Sequence, residues 1–170
     1  MRIHVVLVEP EIPQNTGNIA RTCAATGSEL HLVCPLGFSI SSREVKRAGL
    51  DYWDDVSLKV HDSLEDFLAL HGDCQLRFFT TKAPRTYCDT PYDSSRDVYL
   101  VFGKESKGLP ESLLKSRIDQ CVRIPMRGGM RSLNLSNAAA IAVYDLLSRR
   151  GFPDLMQKGL LAEEAEDHGM

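Results

Sequence analysis

Ile124-Pro125-Met126-Arg127-Gly128-Gly129-Met130-Arg131-Ser132-Leu133-Asn134-Leu135-Ser136-Asn137-Ala138-Ala139 takes the chain from an apolar run, through a glycine-bearing loop, into its most regular helical pattern. Leu135, Ala138, Ala139, Ala142, Val143, Leu146 and Leu147 recur at the spacing of one helix face, which predicts a helix over 134–150. Arg149 and Arg150 suit its C-terminal dipole, Gly151 suits the cap, and Pro153 prevents continuation. Working outward, the runs 3–8, 30–34, 56–60, 76–81, 98–102 and 120–124 are short, apolar and rich in β-branched residues, and read as strands. Helix signals lie between most of them. Asn15-Thr16 offers caps before Ile19, Ala20, Cys23 and Ala24, and Gly27 ends that segment; Asp62 or Ser63 can cap a short helix carrying Leu64, Phe67, Leu68 and Leu70. Continuously apolar strands that alternate with helices imply an α/β domain, a mostly parallel sheet covered on both faces. A chain of 170 residues supports one such core and leaves no room for a second. The domain is expected over 1–154. Residues 155–170, which include Glu163, Glu164, Glu166 and Asp167, are expected to form a flexible acidic tail.

Composition narrows the class less than the pattern does. Hydrophobic residues make up 43% and charged residues 25%, ordinary globular proportions. The apolar run at the N-terminus is too short for a membrane span or a signal peptide, so a cytoplasmic protein without membrane contact is expected. Cys23, Cys34, Cys74, Cys88 and Cys121 are odd in number and contain no Cys-x-x-Cys pair, which reads as reduced thiols. The five histidines are scattered along the chain, so no metal site is expected. The formal net charge of −3 neither announces a nucleic-acid binder nor excludes one, because affinity depends on a local basic patch.

Three segments at strand–helix junctions carry the chemistry, since an α/β sheet binds ligands outside the carboxyl ends of its strands. No G-x-G-x-x-G follows Val8 and no phosphate-loop G-x-x-x-x-G-K-[ST] occurs, which weighs against NAD enzymes and P-loop nucleotide enzymes. A phosphate-free ligand such as S-adenosylmethionine would not need those cradles. The first segment, Glu9 to Arg21, places Asn18 and Arg21 on one helix face, opposite Ile19, Ala20 and Cys23; it reads equally as a solvated helix face with a cap. In the second, Leu100 to Pro110, a buried strand runs into a charged turn bracketed by Gly103 and Gly108. Those glycines serve either a turn that needs positive φ or a backbone that must approach a ligand closely. The third is the segment quoted above, where Ser132, Asn134, Ser136 and Asn137 crowd a helix start that a single cap would satisfy, as at an anion or ligand site.

Taken together and in this order, the three segments resemble the sequence motifs of the SPOUT class of RNA methyltransferases, over about residues 3–153. The resemblance is strongest to the minimal tRNA (cytidine/uridine-34) 2′-O-methyltransferases, to which Arg47-Ala48-Gly49-Leu50-Asp51-Tyr52 and Thr80-Thr81-Lys82 are also similar. It implies a C-terminal trefoil knot, S-adenosyl-L-methionine as cofactor, a homodimer whose subunits share each active site, and the anticodon region of tRNA as partner, with leucine isoacceptors the expected substrates. Carried over by position, the cofactor-contacting residues are Phe79, Gly103, Ile124, Ser132 and Leu133. Glu105 and Asn134 shape the pocket, and Arg21 takes the place of the catalytic arginine. A guanidinium is a permanent cation and cannot serve as a base, so Arg21 is expected to bind an RNA phosphate and to stabilise charge on the 2′-oxygen. Arg43, Arg47 and Arg131 are the leading RNA contacts, with Lys46, Lys104, Lys107 and Arg127 beside them. Tyr52, Trp53 and Tyr144 are either base-stacking residues or core and interface aromatics. The rival readings are a non-catalytic RNA-binding module of the same fold and a nucleotide-dependent metabolic enzyme.

Overall fold

A computed structural model of the chain describes residues 1–41 and 53–159. Six strands form one sheet: β1 (Ile3–Val8), β2 (Glu29–Val33), β3 (Leu58–His61), β4 (Gln75–Phe79), β5 (Val98–Phe102) and β6 (Cys121–Val122). Four α-helices accompany them among the described residues: α1 (Pro13–Thr26), α2 (Leu64–His71), α3 (Glu111–Ser116) and α4 (Leu135–Arg149). Every strand pairing is parallel and the order is β3-β2-β1-β5-β4-β6. From β1 the chain runs outward to β2 and β3, then returns to build β4, β5 and β6 on the other side. The loops after β1 and β5 therefore diverge at the centre of the sheet, the switch point where such sheets bind ligands.

Burial explains the unbroken apolar strands. All of β1, β2 and β5 is buried, because both faces are covered. Val5, Leu7, Leu30, Leu32, Val98 and Leu100 face one core with Ile19, Cys23, Ala139 and Val143 of α1 and α4. Val6, Val33, Tyr99 and Val101 face the other with Phe67 of α2 and Leu114 of α3. Trp53 packs against the first core and Tyr144 is exposed on α4. No described helix is long and apolar enough to cross a membrane.

Several expected boundaries shift for local reasons. Helix α1 begins at Pro13 with Ile12 as its cap residue, so Asn15 and Thr16 are not caps but buried residues within the first turn. Proline pre-sets the helical φ at the first position and lacks the amide that would need a partner. Ser63, not Asp62, caps α2, accepting from the Asp66 amide at 3.0 Å. Strand β6 is shorter than expected, because Arg123 leaves β4 and pairs with the loop at 85–87 (Arg123 N to Arg85 O 2.9 Å; Tyr87 N to Arg123 O 3.0 Å). One expectation, that the histidines form no cluster, is overturned. The histidines are scattered in sequence but not in space: His4, His31, His61 and His71 meet on the α2 face of the sheet, because β1, β2 and β3 are neighbours in register. The segment 47–52, Arg43, Lys46, Arg47, Tyr52 and residues 160–170 of the tail lie outside the described residues.

Candidate active site

At the carboxyl ends of β1, β4, β5 and β6 lies a cavity of about 550 Å³, within the range of about 300–1,000 Å³ usual for small-molecule sites. It draws on all three motif segments. Phe79 ends β4 and stacks on Phe102 of β5, ring centroids 4.6 Å apart and planes at 19°, forming an aromatic floor. Leu109, Leu114, Ile124 and Met126 extend the apolar lining, while Thr80, Glu105, Ser132 and Asn134 supply polar groups.

Glu105 holds the site together. Its carboxylate accepts from the amides of Glu11 (2.8 Å) and Ile12 (3.2 Å) and from Asn15 Nδ2 (3.0 Å). The cap that α1 lacks locally thus comes from the loop after β5, where a carboxylate also suits the positive end of the helix dipole. The Oδ1 of Asn15 in turn accepts from Asn134 Nδ2 at 3.0 Å. Asn134 caps α4 with its own Oδ1, taking the Ser136 amide (2.9 Å), the Ser136 hydroxyl (2.6 Å) and the Asn137 amide (3.4 Å). A single chain of hydrogen bonds, Glu105–Asn15–Asn134, therefore joins the three segments, and each polar atom in it is satisfied.

A second set of contacts lashes the first loop to the second. Glu9 stands in the left-handed region at φ 51, which turns the chain sharply out of β1, and its carboxylate pairs with Lys104. Hydrogen bonds from the Ser106 hydroxyl (2.8 Å) and amide (2.9 Å) hold the Glu11 carboxyl below its ordinary range. The Glu9 carboxylate holds the Lys104 ammonium above its own. Gly108 meets the turn reading, while Gly103 serves a close approach within the chain itself. Gly108 has φ +70, whereas a Cβ on Gly103 would sit 2.1 Å from the Gly108 carbonyl carbon, so Gly103 is needed for the approach of the chain to itself.

Phe79, Gly103, Glu105, Ile124, Ser132, Leu133 and Asn134 all line this one cavity, as do Lys104, Lys107 and Arg131. Arg131 also reaches the Ser106 carbonyl at 3.2 Å. Arg21 is exposed on α1, on the face away from buried Ile19, Ala20 and Cys23, and does not line the cavity; neither does exposed Arg127. Reading Asn15 as a cap missed its role as the central link. Pro13, as a first-turn residue, would have placed Asn15 inside the helix.

A model of the SpoU rRNA Methylase family matches residues 2–144. A relative from Listeria monocytogenes serotype 4b (strain F2365) is 49% identical over 156 residues, 91% of this chain and 92% of its own. The tRNA (cytidine(34)-2′-O)-methyltransferase of Burkholderia pseudomallei (strain 1106a) is 43% identical over 152 residues, 88% of this chain and 96% of its own. A solved structure described as giving insights into the 2-OH methylation of C/U34 on tRNA superposes with a TM-score of 0.80 at 44% identity, covering 88% of this chain and 97% of that one. The AdoMet-bound rRNA methyltransferase of Sinorhizobium meliloti superposes with a TM-score of 0.76 at 27% identity, covering 87% and 56%.

Proposed function

The chain belongs to the SpoU rRNA methylase family, and from that premise we propose that it transfers a methyl group from S-adenosylmethionine to the ribose 2′-hydroxyl of the wobble nucleotide of tRNA. The proposal takes in U34 beside C34, leucine isoacceptors as substrates, a cytoplasmic setting, and a catalytic domain of residues 1–154 with 155–170 as a flexible tail. The observation that carries it is the convergence of all three motif segments on one cavity through Glu105, Asn15 and Asn134. The relatives named for this reaction and the AdoMet-bound neighbour support it.

The cavity suits the cofactor. The Phe79–Phe102 floor and Leu109 offer apolar and stacking surface, while Glu105, Ser132 and Asn134 offer polar groups at the same wall. Phe79, Gly103, Ile124, Ser132 and Leu133 hold it in this reading, with Glu105 and Asn134 keeping the loops in place. S-adenosylmethionine, when bound, supplies an electrophilic methyl group whose departure leaves a neutral thioether. The protein then has mainly to align and to stabilise charge; alignment alone is worth up to about 7–11 kcal/mol. Arg21 binds an RNA phosphate and stabilises the oxyanion as the 2′-hydroxyl gives up its proton to water or phosphate. Lys104, Lys107 and Arg131 at the cavity mouth, together with Arg43 and Arg47, meet phosphates, so affinity falls steeply with salt.

Arg21 lies outside the cavity lined by its own chain, which supports a homodimer in which one protomer's Arg21 serves its partner's cavity. Exposed Ile12, Leu133, Ile141 and Tyr144 give a second copy apolar surface to cover. The same reading takes in a C-terminal trefoil knot, with the loops 103–110 and 124–134 meeting where Arg131 reaches the Ser106 carbonyl.

The test is calorimetry with S-adenosylmethionine and mass mapping of methylated nucleosides after incubation with tRNA. Expected are binding and a single 2′-O-methyl mark at position 34. Absence of cofactor binding with retained tRNA binding would favour a non-catalytic module. Arg21→Lys should lower kcat by about 10²–10³-fold with tRNA affinity retained, because a point ammonium cannot reproduce the planar fork.

A further inference from the structure

His4, His31, His61 and His71 come from β1, β2, β3 and the last residue of α2. His31 is fully buried, and His4 and His61 nearly so. The Nε2 of His31 lies 3.0 Å from a Glu29 carboxylate oxygen. The Glu29 carboxylate also meets Lys59 Nζ at 2.7 Å and accepts from the Ser57 hydroxyl at 3.1 Å. The same Nε2 lies 3.0 Å from His4 Nδ1, so with its ring hydrogen on that side His31 keeps the Nδ1 lone pair. That Nδ1 meets His61 Nε2 at 2.9 Å. The His71 ring stands perpendicular to both, centroids 5.6 and 5.7 Å away. One ring nitrogen from each of the three lies within 4.8 Å of the others.

We infer that His31, His61 and His71 form a binding site for one zinc-type transition-metal dication, with Glu29 orienting His31 from behind. A metal-bound imidazole characteristically directs its second N–H toward a carboxylate, and a Glu29 oxygen stands 3.0 Å from His31 Nε2, within reach of that role. Nitrogen ligands favour zinc, copper, cobalt or nickel over magnesium and calcium. Zinc–nitrogen bonds of about 2.0–2.1 Å in tetrahedral geometry set two ligand nitrogens roughly 3.3 Å apart. The His31–His61 pair thus needs a ring tilt and a widening of only about 0.4 Å to admit the ion. His61 then carries its hydrogen on Nδ1, and no proton is lost. Glu29, Asp62 and Asp66 favour a cation there and Lys59 opposes it. None of these histidines lines the cavity, so the ion is a structural clasp joining β2, the edge strand β3 and α2.

The test uses the full chain stripped with a chelator, then titrated with ZnCl₂ by calorimetry and with Co²⁺ by visible absorption. Expected are one ion per chain at micromolar affinity or tighter, and a Co²⁺ spectrum without thiolate charge transfer. At an ion concentration near 100 times Kd, Tm should rise by about 5–10 °C. His71→Ala, at a half-buried helix end, should keep the metal-free Tm and lose about tenfold or more in affinity; Glu29→Gln should lose about 10–100-fold. A wild-type chain that takes up no ion, or one whose affinity is unchanged by both His71→Ala and His61→Ala, overturns the inference.

Discussion

At the cavity, loops leave the ends of β1, β4, β5 and β6 and are joined by hydrogen bonds between side chains and backbone amides. The histidine cluster instead sits within the sheet, on residues that share a face with Val6, Val33 and Val101 and lie beneath Phe67. In the cavity, Glu105 and Asn134 are only partly covered, yet each fixes the path of a separate segment. In the cluster, His31 is wholly buried and touches His4, His61, His71, Phe67 and Tyr99 at once. The two regions use polar groups to different ends. Disturbing the first should cost binding and turnover through loop position; disturbing the buried members of the second, His4, His31 and His61, should cost stability and leave the cavity intact.

The strongest way to break that contrast is Gly103→Ala. Its methyl group would meet the Gly108 carbonyl carbon at 2.1 Å and the Leu109 nitrogen at 2.2 Å, and neither is the free end of a side chain. Urea unfolding should show a loss of about 3 kcal/mol or more. Calorimetry should show S-adenosylmethionine affinity down by about 100-fold, because the loop itself is displaced. Unchanged affinity would mean that the loop does not shape the site.

Acidification tests the cluster, again in chelator-treated protein. Burial, as the largest cause, lowers His4, His31, His61 and His71 in the folded chain. The unfolded chain takes up protons near pH 6.5 while the folded chain resists them. Stability is therefore full above about pH 6.5 and falls as pH drops through that value toward the folded ones. His31, the most buried, should alone cost about 1.4 kcal/mol per pH unit in that window. Urea midpoints at pH 7.5 and 5.5 measure this, and a flat profile would remove the cluster from the stability of the fold.

The smallest effect sharpens the boundary between the regions. Ser63→Ala removes the α2 cap, which accepts from the Asp66 amide at 3.0 Å. It should lower stability by about 1 kcal/mol. Methylation should be unchanged, since no residue of α2 lines the cavity. A fall in turnover at constant stability would show that the α2 face communicates with the site.

Much of the cavity was legible because its residues come in contiguous runs. Gly103 to Gly108 and Ile124 to Asn134 each announce themselves through glycines and small polar residues at a strand–helix junction, and a resemblance to known motifs tied them together. Asn134 could be placed at a helix start, and Gly108 at a turn, from local chemistry. The link through Asn15 could not, since it depends on Glu105 arriving from 90 residues away. The histidine cluster was invisible for the same reason, magnified: its members stand at positions 4, 31, 61 and 71, each an ordinary polar residue in its own segment.

The sequence by itself determined the element types, the two-sided burial of β1, β2 and β5, and the helix from Leu135 to Arg149, because propensity, periodicity and capping act within a few residues along the chain. Only the tertiary structure decided the strand order that seats β1 beside β5, the Glu105 carboxylate that serves α1, and the meeting of four imidazoles around His31. Those depend on which strands become neighbours. The packing of the whole sheet sets that choice, and no local stretch encodes it.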